Sequence, residues 1–363
     1  MHFDVIVIGA GPGGYIAAIR AAQLGMKVAC VDAWKNKDGK PAPGGTCSNI
    51  GCIPSKALLQ SSENFEQAKH HFGTHGISTG DLRMDVTTML ERKNQVVKSS
   101  NEGILYLFRK NKVQFFNGLA SFTRTVDGGF EVSVAADEAV TLVGKQIIVA
   151  TGSNVRPLPN LPFDERVVLS NDGALDIAAV PDRLAVIGAG VIGLELGSVW
   201  RRLGADVTIL EGLPSFLPIV DQAIAKEAKK AFDKQGLKIE LGAKVREVNA
   251  TEAGVTIHYT DSQGQTQSLQ ADKVIVAIGR VPNTEGLPRD SNWMSAAPCW
   301  WTMNAAPVCP ASGPSVTWCV ARCWRTRRKR KVSQWPSALP ASTVTSISIR
   351  SPTSSTPAQR LPG

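Results

Sequence analysis

Two cysteines five residues apart, Cys47 and Cys52, are the residues whose types and spacing point most directly to chemistry. Glycines precede them and lie between them, and Lys56 follows. A regular helix separates the Cα atoms of residues five apart by about 8 to 9 Å, whereas a disulfide needs roughly 4.4–6.8 Å. We therefore predict a distorted turn, which Gly51 permits, and a redox-active disulfide at the start of a helix. The helix N-terminus and Lys56 both favour the reactive thiolate.

The segment that must position this pair begins with a buried strand at residues 3–8. A glycine loop, an alanine-rich helix and a second strand follow, and the second strand ends at an acid. In that order the first glycine makes the tight turn and the second lets a pyrophosphate approach. The third packs helix on strand, and the acid holds a ribose hydroxyl. The four residues are Gly9, Gly11, Gly14 and Asp32.

The same pattern occurs a second time. A strand at 184–187 leads into another glycine loop, and the next strand ends at an acid. The residues that repeat the pattern are Gly188, Gly190, Gly193 and Glu211. The last glycine lies eighteen residues before the acid in both copies. The chain therefore contains two predicted nucleotide sites and one cysteine pair.

Each copy continues with short strand-like segments and closes with a buried strand that ends near glycine. The pattern predicts an α/β fold with two Rossmann-like dinucleotide-binding domains, each with a small antiparallel meander. The predicted boundaries are a first domain at 1–150, a second at 151–272, a return to the first at 273–287 and a tail of different character at 288–363.

The cysteine pair needs a partner that handles electron pairs reversibly. A flavin does so, whereas nicotinamide alone is a poor direct reductant of a disulfide. Because the cysteines belong to the first copy, we predict FAD there and NAD at the second. Glu211 is followed by Gly212 rather than by arginine, which favours a free 2′-hydroxyl and therefore NAD over NADP. The predicted path runs from a dithiol substrate to the cysteines, then to flavin, then to NAD.

Composition and charge narrow the function classes. No apolar run approaches the roughly 18 residues of a membrane span. The net charge of +9 belongs to the tail, because residues 1–287 carry 30 basic and 30 acidic residues. We therefore expect neither a membrane nor a nucleic-acid partner. The first residues lack a basic leader, so we predict a cytoplasmic protein, in which a close cysteine pair is typical of catalysis. His70, His71 and His75 have no further ligand at a suitable spacing, and we predict no metal site.

Three motifs together, Gly44–Lys56, Gly188–Gly197 and Ala277–Asn283, resemble the flavin disulfide oxidoreductases. Within that family the chain most resembles the dihydrolipoyl dehydrogenases, over residues 2–287. The resemblance implies oxidation of protein-bound dihydrolipoamide with electrons passed to NAD⁺. It implies as partner the lipoyl domain of a 2-oxo acid dehydrogenase acyltransferase or a glycine cleavage lipoyl protein, and a homodimer.

Residue roles follow from the same resemblance. Cys47 would exchange with dihydrolipoamide, and Cys52 would lie against the flavin. Lys56 would lie beside the isoalloxazine, and Glu195 near the place where nicotinamide stacks. Further cofactor-binding positions, some already suggested by the pattern, are Thr46, Gly118, Thr151, Gly152, Val245, Ala277, Gly279 and Arg280. Asp32 stands where relatives often have Glu, which still suits a ribose.

The tail departs from that family. Its members continue with a third FAD segment that contains Gly-Asp, and with a dimerisation domain whose His-Pro-Thr motif supplies the acid–base histidine. Here all five histidines lie at or before His258. Six of eight Trp and four of seven Cys fall in the last 76 residues, which contain no Glu.

We predict a frameshift near Leu287 and Pro288. Read one base earlier, possible codons for residues 314–319 encode Ala-Ile-Gly-Asp-Val-Val, which contains the missing Gly-Asp. The alternatives are a disordered extension and a patch at Arg325–Lys331 that binds nucleic acid or another anion. As written, the chain lacks the dimerisation domain and the acid–base histidine. We therefore expect it to fold poorly and to have little dehydrogenase activity. Another flavin disulfide reductase, of mercuric or glutathione type, or a non-catalytic flavin- or nucleotide-binding fragment are the rival functions.

Overall fold

The structure is a computed structural model, and it describes residues 1–159 and 161–284 together with the strand at 316–318. The rest of the predicted tail, including Arg325–Lys331, lies outside the described residues. The helices are, in chain order, α1 (Pro12–Gln23), α2 (Gly45–Ile50), α3 (Cys52–His70), α4 (Val86–Lys110), α5 (Asn171–Ala174), α6 (Val191–Leu203) and α7 (Gln222–Lys234). None of these helices is both long and apolar enough to cross a bilayer.

The strands of the described residues belong to two larger sheets, one antiparallel meander and one two-stranded ribbon. In chain order they are β1 (His2–Ile8), β2 (Val28–Asp32), β3 (Gln114–Asn117), β4 (Leu119–Val126), β5 (Gly129–Ala135), β6 (Val140–Val149), β7 (Ser153–Val155), β8 (Val168–Leu169), β9 (Arg183–Ile187), β10 (Asp206–Glu211), β11 (Lys238–Leu241), β12 (Lys244–Thr251), β13 (Gly254–Thr260), β14 (Thr266–Ala271), β15 (Lys273–Val276), β16 (Arg280–Pro282) and β17 (Val316–Trp318).

The first copy is built on a mixed sheet of order β3-β2-β1-β6-β5-β4. Strands β3, β2, β1 and β6 are parallel, and β17 pairs in parallel with β6. The sequence predicts two separate strands at 140–143 and 146–150, but the structure joins them as β6. Gly144 stays in the strand because it pairs with Phe3 on one side and Phe130 on the other. Thus β6 serves the parallel sheet and the meander at once.

The second copy has a five-stranded parallel sheet of order β11-β10-β9-β15-β8 and a separate antiparallel meander, β12-β13-β14. Helix α6 connects β9 to β10, and α7 precedes β11. Both copies therefore show the strand, glycine loop, helix and strand order of a dinucleotide fold. The predicted α/β fold with two Rossmann-like units is confirmed. The boundaries at residues 150, 272 and 287 stay predictions.

The two copies share a hydrophobic core. Leu58 of α3 and Met89 of α4 belong to the same buried cluster as Trp200 of α6. The Trp200 indole, which is fully buried, donates a hydrogen bond to the Ala174 carbonyl at 3.3 Å. The chain leaves the first copy through β7 and returns through β16, and these two strands pair in antiparallel fashion. The packing therefore places α3, which starts at Cys52, directly against the second copy.

Candidate redox and nucleotide sites

Cys47 and Cys52 form a disulfide with Cα atoms 4.7 Å apart. Helix α2 ends at Ile50, and Cys52 begins α3, so the helix is interrupted at Gly51. A Cβ atom at position 51 would lie 2.8 Å from the Thr46 carbonyl oxygen, closer than side chains tolerate. The close approach therefore requires glycine. The predicted distorted turn and the disulfide at the start of a helix are confirmed.

Lys56, one helical turn after Cys52 on α3, forms an ion pair with Glu195. The Lys56 ammonium lies 2.5 and 2.6 Å from the two Glu195 carboxylate oxygens. The Ser55 hydroxyl donates to the same carboxylate at 3.1 Å. Lys56 and Ser55 belong to α3, whereas Glu195 belongs to α6. The pair therefore connects the disulfide-bearing helix with the second copy. The sequence analysis placed both residues near the site but did not predict that they contact each other.

The first glycine loop has the predicted geometry. Gly9 has φ +100°, and a Cβ atom there would lie 2.2 Å from the Ala150 carbonyl oxygen. A Cβ atom at Gly14 would lie 1.8 Å from the Gly9 oxygen, so helix and strand touch at this point. At Gly11 the nearest atom would be the Gly45 Cα, at 3.8 Å. The loop is therefore closed at its ends and open in the middle, where a ligand can approach.

Asp32 supports this loop from the end of β2. Its carboxylate accepts hydrogen bonds from the backbone N–H of Ala10, at 2.5 Å, and of Trp34, at 2.8 Å. Burial raises the pKa of the Asp32 carboxyl, and the two backbone hydrogen bonds oppose that rise. A carboxylate has about four acceptor positions, so capacity is left for a ribose hydroxyl.

The second loop repeats the construction of the first. Glu211 accepts from the backbone N–H of Ala189 at 2.8 Å and of Leu213 at 2.9 Å. A Cβ atom at Gly193 would lie 2.1 Å from the Gly188 oxygen, whereas at Gly190 the nearest atom would be 4.0 Å away. In both copies, therefore, the acid at the end of the second strand accepts from one backbone N–H of the glycine loop and from the backbone N–H two residues beyond the acid itself.

Both loops fit the phosphates of a dinucleotide. Helix α1 begins after Gly11 and α6 after Gly190, and neither glycine position offers a side-chain cap. The first N–H groups of these helices therefore have no capping side chain, and together with the helix dipole they favour an anion. Open space at the two middle glycines lets that anion reach them. The first loop also contacts the redox segment, because the Gly44 N–H donates to the Ala10 carbonyl at 2.8 Å.

The other predicted cofactor positions lie around these loops. The Gly118 N–H donates to the Asp32 carbonyl at 3.0 Å. The Thr151 hydroxyl, just after β6, donates to the Asn283 carbonyl at 2.6 Å. Gly152 also follows β6, and Ala277 and Gly279 follow β15. Val245 lies in the second meander, where it pairs with Tyr259.

Thr46 and Arg280 contact each other rather than lying apart. The Arg280 guanidinium donates to the Thr46 hydroxyl at 3.2 Å and to the Asn171 side-chain oxygen at 3.0 Å. Asn171 was not among the predicted residues, and no local motif marks it. The roles of all these residues in binding stay predictions. Within the described ranges, no group of three His, Cys, Asp or Glu side chains is arranged to hold a metal ion.

Comparison with known proteins agrees with this geometry. The family described as "Pyridine nucleotide-disulphide oxidoreductase" matches residues 3–295, which extends eight residues past the point where the composition changes. The dihydrolipoyl dehydrogenase of Cupriavidus necator is 55% identical over 81% of this chain and 62% of its own. Dihydrolipoyl dehydrogenase 3 of Pseudomonas aeruginosa is 47% identical over 78% of this chain and 60% of its own.

Solved structures share the fold. LpdA from Mycobacterium tuberculosis superposes with a TM-score of 0.72 at 24% identity, over 86% of this chain and 66% of that one. The HOCl-induced flavoprotein disulfide reductase RclA from Escherichia coli gives a TM-score of 0.65 at 25% identity, over 87% of this chain and 65% of that one. The chain spans about three fifths of the length of the two curated relatives. It belongs to the pyridine nucleotide-disulphide oxidoreductase family, among the flavin disulfide oxidoreductases.

Proposed function

We propose that the intact gene encodes an NAD-dependent dihydrolipoyl dehydrogenase, which oxidises protein-bound dihydrolipoamide to lipoamide. The Cys47–Cys52 disulfide carries the proposal. It lies in a segment that contacts the first glycine loop, and Lys56 connects that segment to the helix of the second loop. A disulfide so placed suits transfer of electron pairs from a dithiol toward a pyridine nucleotide.

The first loop suits FAD and the second suits NAD. Bound FAD supplies reversible two-electron chemistry between the disulfide and NAD⁺. Gly9, Gly11 and Gly14 would admit its pyrophosphate, and Asp32 would accept from its adenosine ribose. At the second loop the Glu211 carboxylate would accept from a 2′-hydroxyl and repel a 2′-phosphate, which supports NAD over NADP.

The cysteines would carry the thiol–disulfide exchange. One thiolate of dihydrolipoamide attacks the Cys47 Sγ, forming a mixed disulfide, and Cys52 leaves as the thiolate. The second substrate thiol then attacks the substrate sulfur of the mixed disulfide, which closes the lipoamide ring and releases Cys47. The substrate loses two electrons and two protons, and the protein disulfide gains both. Glu195 would hold the Lys56 ammonium in place, one helical turn from Cys52.

The proposed partner is a lipoyl domain of a 2-oxo acid dehydrogenase acyltransferase or of the glycine cleavage system, and the proposed compartment is the cytoplasm. The intact protein would be a homodimer. A second candidate is a flavin- or nucleotide-binding fragment without turnover. It is favoured because residues 259–363 contain no histidine that could serve as the acid–base group of the family.

The experiment purifies the full chain and measures three properties. Flavin absorbance measures FAD binding. The rates of NADH and NADPH oxidation show which nucleotide is preferred. The rates with lipoamide, glutathione disulfide and mercuric ion show which electron acceptor is used. We expect bound flavin and a preference for NADH. Of the three acceptors, we expect activity only with lipoamide, at a low but measurable rate. Flavin without turnover would support the fragment, and a preference for glutathione disulfide or mercuric ion would contradict the proposed substrate.

A further inference from the structure

Helix α2, which carries Cys47, is too short to hold its own position. It comprises Gly45–Ile50, and an isolated helix of so few residues is unstable in water. In the oxidised protein the disulfide ties it to α3. When that bond is reduced, only other contacts can keep Cys47 close to Cys52.

The C-terminal end of α2 is held by Asn171. The Asn171 side-chain amide donates to the carbonyl of Ile50, the last residue of α2, at 2.6 Å. This carbonyl belongs to the last turn, where no partner within the helix is available. Asn171 is only 6% exposed, so water competes weakly for this hydrogen bond.

The N-terminal half of α2 is held by Arg280. Its guanidinium donates to the Thr46 hydroxyl at 3.2 Å and, through another nitrogen, to the Asn171 oxygen at 3.0 Å. The same guanidinium is anchored on Ser153, whose hydroxyl accepts at 2.9 Å. One arginine therefore connects both ends of α2 to the ribbon formed by β7 and β16.

Helix α4 adds a third attachment. The Asn101 amide donates to the Pro43 carbonyl at 2.7 Å and to the Asn49 side-chain oxygen at 3.0 Å. The Asn49 amide in turn donates to the Ala42 carbonyl at 2.9 Å. These contacts hold the chain that enters α2 and the side chain of Asn49. The carbonyl of Ile50, the residue of α2 nearest to Cys52, is held by Asn171.

We propose that Asn171 and Arg280 form a clamp, here called the α2 clamp, that keeps the reduced thiols of Cys47 and Cys52 close together. The clamp acts as a positioning device, through its hydrogen bonds to the Ile50 carbonyl and the Thr46 hydroxyl. It rests on the proposed redox role of the disulfide. In the exchange with glutathione, two molecules of glutathione reduce the protein disulfide to two thiols and are oxidised to one glutathione disulfide. The closer the two protein thiols, the further this equilibrium lies toward the protein disulfide.

Loosening the clamp therefore makes the disulfide easier to reduce. We define the half-reduction ratio as the squared concentration of glutathione divided by the concentration of glutathione disulfide when half of the protein disulfide is reduced. We expect Asn171→Ala, which removes the hydrogen bonds to Ile50 and Arg280, to lower this ratio about tenfold. For a two-electron couple this is a rise in potential of about 30 mV. Asn171→Asp removes the donor to Ile50 but keeps an acceptor for Arg280. Because only one hydrogen bond is lost, we expect the half-reduction ratio to fall about threefold.

The measurement uses the full chain equilibrated in glutathione buffers and quenched with acid. Differential alkylation and mass spectrometry then quantify the peptide that carries Cys47 and Cys52, which separates this pair from the other five cysteines. The protein disulfide exchanges directly with glutathione, so the half-reduction ratio remains measurable even if lipoamide turnover is absent. Failure of the clamp is thereby distinguished from failure of the proposed function.

Two control variants separate positioning from general destabilisation. Asn111→Ala removes a half-buried asparagine just after α4, whose solvent-exposed hydrogen bonds run to Leu107 and Gln23. Ile257→Val lowers stability by about 1 kcal/mol in the core of the second copy, away from α2. Neither should change the half-reduction ratio by more than twofold. An Asn171→Asp or Asn171→Ala value within twofold of wild type, or an equal shift in Ile257→Val, would overturn the proposal.

Discussion

We expect Lys93→Met to destabilise the full chain because it breaks a buried connection between the two copies. Lys93 of α4 donates to the Leu175 carbonyl at 3.1 Å and lies 2.5 Å from the Asp176 carboxylate. The Lys93 side chain is 4% exposed and that of Asp176 is 33% exposed. Asp176 also pairs with the exposed Lys37 at 3.1 Å.

The size of the effect follows from these exposures. Removing one partner of a fully buried ion pair costs about 3–5 kcal/mol, whereas an exposed pair contributes about 0–1 kcal/mol. Here the ammonium is buried, but the carboxylate keeps contact with water and with Lys37. We therefore expect Lys93→Met to lower the free energy of unfolding by about 2 kcal/mol. Asp176→Asn should cost at least as much, because it leaves the buried Lys93 ammonium with the Leu175 carbonyl.

The assay is urea unfolding of the full chain, followed by circular dichroism, for both single variants and the double variant. The double variant should be less destabilised than the sum of the singles, by more than about 1 kcal/mol. Lys98→Met is the matched control. Lys98 lies on the same helix, but its pair with Glu102 at 4.0 Å is exposed, and we expect a change below about 0.5 kcal/mol. A coupling below about 0.5 kcal/mol would refute the reasoning.

The pair should also be visible in the pH dependence of stability. Burial alone would raise the pKa of Asp176, but the hydrogen bonds and charges of Lys93 and Lys37 outweigh it, so its pKa lies below the usual 3.8. A carboxyl with a lowered pKa stabilises the fold above its unfolded pKa, and this contribution is lost as the pH falls through the lowered folded value. The difference between wild type and Asp176→Asn should therefore be full at pH 6 and shrink below pH 3.8.

Three further outcomes are expected. The 363-residue chain should oxidise dihydrolipoamide about 10²–10⁴-fold more slowly than an intact relative assayed alongside it, since no histidine follows His258 in this sequence to act as the acid–base group that the family resemblance implies; equal turnover would contradict the predicted frameshift. Glu211→Ala should raise the Kd for NAD⁺ about tenfold in calorimetry, through loss of a charged hydrogen-bond acceptor, and an unchanged Kd would exclude its role at the ribose. Gly14→Ala should abolish retention of FAD, measured by flavin absorbance, because its Cβ would lie 1.8 Å from the Gly9 oxygen. Gly103→Ala, with no atom within 4 Å of the new Cβ, should retain FAD like wild type.

Local patterns were enough to predict the loops and the redox segment. At positions 9, 14 and 51 a Cβ atom would clash with backbone atoms that lie a few residues away or on the neighbouring strand. The same clash arises in any chain that builds the same turn, so glycine at these positions can be predicted from a local pattern. The interval from the last glycine to the acid follows from one helix and one strand of standard length. For the same reason the break at Gly51 could be inferred from the distance that a disulfide requires.

Contacts between distant residues could not be predicted in this way. Lys56 and Glu195 are 139 residues apart, and Lys93 and Asp176 are 83 apart. Each pair depends on how α3 and α4 pack against the second copy, which no residue spacing encodes. Asn171 was missed because its two partners, the Ile50 carbonyl and the Arg280 guanidinium, are more than 100 residues away in the chain. Helix α7 and β11 were also not predicted, and the strand at 316–318 pairs with β6 where the shifted frame would encode Gly-Asp.

The ribbon of β7 and β16 has a consequence for how such a chain could arise. The two strands bring the start and the end of the second copy together, and the Arg156 N–H donates to the Gly279 carbonyl at 3.1 Å. Because its ends adjoin, the second copy occupies the position of an insert in the first. A segment that is inserted at this point leaves the register of the first copy's sheet unchanged, because both of its ends lie at the same place.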